Sequence, residues 1–320
     1  MRAIAIALAF VVGVISTSLA QTWPAHPIRL VVNFPPGGVA DLLARLIGQS
    51  LGETFGQPVV VENKGGANGN IGGDMVARSG PDGYTLLMSS GGMVAINPHL
   101  YASLPFDPVK DLVPVASVAR VPFYLVIRAD NPAQDFTAFV ADLKANPGKR
   151  NFGSPGIGSS PHLAGEMLKK MTGTDAVHVP YRGAAPALND LLAGQIDFLF
   201  DPGIAIEHVK AGRLRALAIG SLQRSPQLPD VPTLQELGLA GFDADAVFGV
   251  YAPAGTPAEI ITRLNSEINR ALATAALTER ITAVGSIPAA MSPDEFREMS
   301  RKDSDRFGPI IRERGITAGN

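Results

Sequence analysis

Along this chain of 320 residues the apolar positions fall into short unbroken runs, most of them followed by a turn and then by helical spacing. The first run, 28–33, stops at Phe34 because Pro35 and Pro36 cannot donate to a sheet. Beyond Gly37-Gly38, residues 41–55 place Leu42, Leu43, Leu46 and Ile47 on one side of a helix. The order then repeats, with strand 59–62, glycine-rich turn 64–70, helix 71–78 and strand 84–88. An irregular stretch, 97–108, leads to two apolar runs, 113–118 and 123–128, divided by Val121-Pro122. Helix 136–145, strand 151–153, a glycine-serine turn at 154–161, helix 162–171 and strand 177–179 come next. Helix 186–192, strand 196–200, a helix ending at Ala211 and strand 215–219 complete this stretch. A proline-rich connection, 223–232, precedes a helical turn at 233–237 and an apolar strand at 247–251. Continuous aliphatic runs suit strands buried on both faces of a parallel sheet, and their alternation with helices predicts an α/β fold.

Helix starts are marked by capping residues. Ser160 stands as N-cap before Pro161 at the first helical position. Thr256-Pro257-Ala258-Glu259 and Ser292-Pro293-Asp294-Glu295 both spell a capping box. These last helices are expected to pack back on the first part of the chain.

Composition divides the chain further. Arg2, the apolar stretch 4–15 and Ser18-Leu19-Ala20 form a signal peptide, residues 1–20, cleaved near Ala20. Its apolar run is too short for a spanning helix, so an exported, soluble protein is expected. Roughly 300 residues remain, more than one core usually serves, which predicts two lobes. The first is discontinuous, 21–120 with 225–320, and the second is 121–224. With no cysteine there is no disulfide, thiolate metal site or cysteine nucleophile. An apolar fraction of 46% excludes disorder. The net charge of −2 disfavours a nucleic-acid partner.

Enzymatic motifs are sparse. No Gly-x-Ser-x-Gly elbow is present, the dinucleotide fingerprint fails at Pro161, and Lys149 lacks the flanking residues of a phosphate-binding loop. The histidines His26, His99, His162, His178 and His208 show no metal-ligand spacing. Four polar turns remain at predicted carboxyl ends of strands: Pro35–Gly38, Ser89–Gly92, Ser154–Ser160 and Asp201–Gly203. In open α/β sheets that edge is where ligands sit. Uncovered N–H groups at a helix start favour a carboxylate or phosphate without a balancing cation. Each turn also reads as an ordinary αβ connection. Two such seats on facing lobes could take one carboxylate each, and hinge closure would bury the ligand. Ser159 or Ser160 with His162 is the alternative, a secreted hydrolase. A ligand sensor for a membrane signalling kinase shares the architecture.

These segments resemble the periplasmic substrate-binding proteins of tripartite tricarboxylate transporters, the Bug receptors. The resemblance is carried over nearly the whole exported chain by Phe34-Pro35-Pro36-Gly37-Gly38 with Asp41, Val61-Glu62-Asn63 and Asn97-Pro98-His99-Leu100-Tyr101. Gly153-Ser154-Pro155-Gly156-Ile157-Gly158-Ser159-Ser160-Pro161-His162, Val179-Pro180-Tyr181-Arg182-Gly183 and Leu228-Pro229-Asp230-Val231-Pro232-Thr233 extend it. It implies an α/β, two-lobed, type II-like Venus flytrap fold with a cleft between the lobes. It also implies a periplasmic receptor without catalysis, cofactor or metal, working as a monomer with the membrane subunits of a transporter. Its ligands would be dicarboxylates, tricarboxylates, acidic amino acids or aromatic acids. By position, Phe34, Pro36, Gly37 and Gly38 would hold one carboxylate and Ser154, Gly158 and Ser159 another, while Ser89, Ser90, Asp201 and Phe248 complete the cleft. Tyr181, Arg182 and His162 are further candidates, Arg182 either touching the anion or forming a structural ion pair. Asp201 would either pair with a ligand amino group or serve the fold. It is followed by Ile204-Ala205-Ile206-Glu207 rather than a more polar run, and Asn33 and Val39 fall at variable positions, which leaves the ligand's identity open.

Overall fold

The computed structural model describes residues 23–318, so the signal peptide expected at 1–20 lies outside the described residues. The chain first lays down β1 (Ile28–Val32), α1 (Val39–Phe55), β2 (Val59–Asn63), α2 (Asn70–Ala77) and β3 (Thr85–Ser90). Two short helices come next, α3 (Gly92–Ala95) and α4 (Asn97–Leu100), the latter opening the stretch 97–108 read as irregular before β4 (Leu112–Val121). A second set follows: β5 (Tyr124–Arg128), α5 (Phe136–Ala145), β6 (Asn151–Ser154), α6 (Ser160–Thr172) and β7 (Val177–Pro180). It ends with α7 (Ala184–Leu192), β8 (Phe198–Asp201), α8 (Ile206–Lys210) and β9 (Leu214–Ile219). The chain then returns through β10 (Ala246–Pro253), α9 (Ala258–Leu272), α10 (Ala275–Ala283), β11 (Ile287–Pro288) and α11 (Pro293–Glu313).

Two sheets result, a six-stranded one ordered β11-β4-β10-β3-β1-β2 and a five-stranded one ordered β7-β6-β8-β5-β9. Neither is purely parallel, which corrects the reading of the aliphatic runs. β1 is parallel to β2 and β3, and β6 to β7 and β8. By contrast β10 is antiparallel to β3 and β4, and β5 to β8 and β9. β5 leaves β4 after Pro122 and Phe123 alone and enters the other sheet, where it runs opposite to both its neighbours. β10 begins where β3 and β4 end, Phe248 opposite Ser90 and Ala246 opposite Val121, so it must run the other way. An all-apolar strand marks burial on both faces but carries no sign of direction.

The six-stranded sheet is covered by α1, whose Leu43, Ile47 and Leu51 are buried, and by α9 and α11 against β4. The final helices therefore do pack on the first sheet. Ser292 forms its capping box with Glu295 at the start of α11. Thr256 does not: its hydroxyl donates to the Pro253 carbonyl at 2.8 Å, and α9 begins after Pro257 without a side-chain cap. The cap of α6 is Ser159, whose oxygen accepts from His162 N–H, and Ser160 is already helical. Among the described residues no helix is long and apolar enough to cross a membrane.

Candidate functional site

The first-sheet seat is built from the end of β1. The Asn33 side chain is buried and its Nδ2 donates to Ser89 Oγ at 2.9 Å and to the Gly69 carbonyl at 3.2 Å. This ties the ends of β1 and β3 to the turn before α2. A Cβ on Gly69 would fall 2.3 Å from Asn33 Nδ2, so glycine is required for the approach. Ser89 Oγ in turn donates to the Ser90 carbonyl at 2.9 Å. Phe34 packs at 5.9 Å, ring to ring, on Phe248, the residue opposite Ser90. Phe34, Ser89, Ser90 and Phe248 are thus gathered at one edge.

Within the Pro35–Gly38 turn the N–H groups divide. Gly37 N–H donates to Asp41 Oδ2 at 3.0 Å, and Arg45 binds the same carboxylate. Burial alone would raise the Asp41 carboxyl, but the hydrogen bonds from Arg45 and Gly37 hold it below the usual carboxylate range. The Gly37 amide is therefore already engaged. Gly38 is the N-cap of α1 and brings no side chain to cover the helix start. The free seat lies one residue later than the glycine pair suggests, at the uncapped first turn of α1.

The second-sheet seat is the turn after β6. Ser154 Oγ donates to the Gly156 carbonyl at 2.9 Å and lies 2.6 Å from His178 Nε2. A hydroxyl has one proton, so His178 supplies the other from Nε2. Ser159 Oγ donates to the same Gly156 carbonyl at 2.8 Å, and Gly158 N–H donates to His162 Nδ1 at 3.0 Å. The two imidazoles stack 3.7 Å apart. Burial pushes His162 down to about 3 and His178 down to about 4, so neutral rings brace the turn.

Several contacts set the two seats against each other. Asn68 Nδ2 donates to Asn97 Oδ1 at 2.6 Å and approaches the Gly158 carbonyl at 3.5 Å. A Cβ on Gly158 would sit 2.0 Å from Leu100 Cδ2, and one on Gly183 would sit 3.8 Å from Pro35 Cγ. One on Gly92 would lie 3.4 Å from both Ser160 Oγ and Ser90 Oγ. Asp201 closes the edge of the second sheet. Its Oδ1 accepts from Gly203 N–H and Ala205 N–H, each at 2.7 Å, and it lines a crevice with Ser154, Pro155 and Ala184 that is too tight to hold a water molecule, so a ligand reaches it only if the crevice opens.

The remaining candidates are less directly placed. Tyr181 OH donates to Asp190 Oδ2 at 2.7 Å. Arg182 is exposed and has no carboxylate within ion-pair distance among the described residues, so the structural ion pair is not formed. His162 lines a different cavity, of about 410 Å³, together with His178, Glu166, Lys169 and residues 314–317. Ser159 is not set up as a nucleophile: it donates to the Gly156 carbonyl, while His162 accepts from Gly158 N–H at Nδ1 and turns Nε2 toward Glu166 at 3.9 Å. Sequence reasoning missed Asn68 and Asn97. The signal was the Asn68-Gly69-Asn70 run, where Ala67 and Asn68 adopt positive φ of 47° and 51°.

The profile of the tripartite tricarboxylate transporter family receptors matches residues 43–316. Protein BugT of Bordetella pertussis is 41% identical over 306 residues, covering 95% of this chain and 94% of that protein. Among solved structures, Rpa4515 of R. palustris with adipate is 34% identical with a TM-score of 0.87, covering 92% of this chain and 99% of that one. MatC from Rhodopseudomonas palustris with bound malate is 32% identical with a TM-score of 0.83, covering 90% and 100%.

Proposed function

The chain belongs to the tripartite tricarboxylate transporter receptor family, whose members are periplasmic solute-binding receptors and not enzymes, and from that premise we propose that it captures a small carboxylate by hinge closure. The captured acid is handed to the membrane subunits of a tripartite transporter after export and removal of residues 1–20. Lobe 1 comprises 21–120 and 225–320 and lobe 2 comprises 121–224, each contributing one seat. The observation that carries this reading is the pair of opposed turns with neutral donors. In its support, Pro35 ahead of the uncapped start of α1 lies beside Gly183, and Asn68 approaches the Gly158 carbonyl of the turn that neutral His162 and His178 brace.

Such seats favour anions through fixed backbone dipoles, and because these partial charges hold the anion less tightly than a lysine would, release is easier. Adipate and malate, bound by the neighbours named above, make short dicarboxylates the first class to test. A thermal-shift panel of dicarboxylates, citrate, aromatic acids and acidic amino acids is the experiment. A selective ligand at a hundred times its Kd stabilises the native state by about 2.7 kcal/mol, which moves the melting temperature by several degrees. A panel in which no carboxylate shifts the transition, while an uncharged solute does, contradicts the reading.

A further inference from the structure

We propose that Asp201 holds a proton on Oδ2 and donates it in a hydrogen bond to the bound ligand, so that the cleft takes a dicarboxylate without an ammonium group together with one proton. The proposal deepens the receptor reading and rests on it. Asp201 is the last residue of β8 and is fully buried. Oδ1 is served by two backbone N–H groups, whereas Oδ2 is buried and has no hydrogen-bond partner. An ionised carboxylate would leave that oxygen as a buried charge lacking a donor, a costly arrangement. A proton on Oδ2 removes the charge and creates a donor that needs an acceptor.

Among the described residues no cation pairs with Asp201, and no acceptor lies within hydrogen-bond distance of Oδ2. Tyr124 faces Asp201 from β5, and its hydroxyl donates to Ser225. From α7 the crevice is lined by Ala184 and Ala187, while Asp190 of that helix accepts from Tyr181. β6 brings Ser154 and the following turn Pro155, both without charge. Of the titratable groups of α6, His162, Glu166 and Lys169 gather at the separate cavity and Lys170 pairs with Glu313. Burial, opposed only in part by the backbone N–H groups of Ala205, Gly203 and Ile204, raises the carboxyl to about 7. A neutral buried acid of this kind is a hydrogen-bond donor, and a ligand carboxylate oxygen is the acceptor it fits. An ammonium group would demand the ionised form instead.

The sign follows from linkage. A ligand that favours the protonated acid raises its pKa and draws one proton from solvent onto Oδ2 when it binds above pH 7, and its affinity falls as pH rises. No covalent bond other than that O–H changes. The test uses the full chain, Asp201 Cγ chemical shifts assigned with Asp201→Asn, and calorimetry with malate and adipate. In the unliganded protein the Cγ titration is expected to have its midpoint near 7, moving upward at saturating malate. Malate affinity is expected to be about tenfold weaker at about pH 8 than at about pH 6, with close to one proton taken up at the higher pH. Asp201→Asn, which keeps both an acceptor and a donor, is expected to lose that slope. A midpoint below about 5, a malate affinity that rises with pH, or aspartate bound more tightly than malate at about pH 8 overturns the proposal. If neither acid gives heat at either pH, the dicarboxylate role of Asp201 falls while the wider carboxylate panel still decides the receptor reading, and a low midpoint with malate binding intact likewise sinks only the role of Asp201.

Discussion

At Gly38 the requirements of folding and of binding separate. Its φ of −83° is open to any residue, and an added Cβ would meet only the Pro35 carbonyl, at 3.7 Å. Glycine is not needed there for the backbone; what it does is leave the start of α1 uncovered. Gly38→Asp should therefore give a folded protein, since aspartate is a favourable N-cap, better than glycine by roughly a few tenths of a kcal/mol. The same carboxylate would occupy the seat and repel an anion, and binding of a dicarboxylate should fall by about a hundredfold or more, at least about 2.7 kcal/mol. Denaturant titration and calorimetry on one sample check both signs. A stable variant with unchanged affinity would show that the ligand does not use this helix end. Gly158 is the opposite case. Its φ of +75° and the Leu100 side chain against it make it a folding residue as well as part of a turn, a distinction no local pattern in the sequence carries.

Elements were legible where the signal is local, and less so where it depends on partners. The strand–turn–helix order, the helix 39–55 and the cap at Ser292 follow from short-range chemistry. The two capping-box spellings show where this stops, because Thr256 finds the Pro253 carbonyl before it can reach the helix. Ser292→Ala should accordingly cost about 1 kcal/mol by denaturant titration, with binding unaffected, because α11 starts away from both turns. Strand direction was not legible, because β5 and β10 owe theirs to the crossings between sheets. The site was legible as a set of polar turns. The engagement of Gly37 by Asp41, the Asn33–Ser89 tie and the unpartnered oxygen of Asp201 depend on residues far apart in sequence, or on side-chain placement that a run of residue types does not encode.

For the whole molecule the two crossings, β4 to β5 and β9 to β10, are the places where the sheets can turn on each other. A charged network sits beside them. Arg120 at the end of β4 binds Asp245 Oδ2 at 3.0 Å, and Ser221 after β9 donates to the other oxygen of that carboxylate. Arg306 of α11 joins Asp243 and Asp303 to the group. On the far reach of α11, Glu313 pairs with Lys170 and Arg314 lies 3.8 Å from Glu166, both partners belonging to α6. These ion pairs would have to part if the sheets swing apart, while the network at the crossings can stay. The proposed hinge closure would thus keep its pivot and exchange its rim contacts, with the ligand contributing the difference between the two states. The most direct test is a map of backbone amide shifts as malate is added to the full chain. The account predicts that Val39 and Ala40 in one lobe move together with residues 156–160 and 183–185 in the other. Shifts confined to one sheet, or gathered at Glu166, Lys169 and residues 314–317 around the separate cavity, would contradict it.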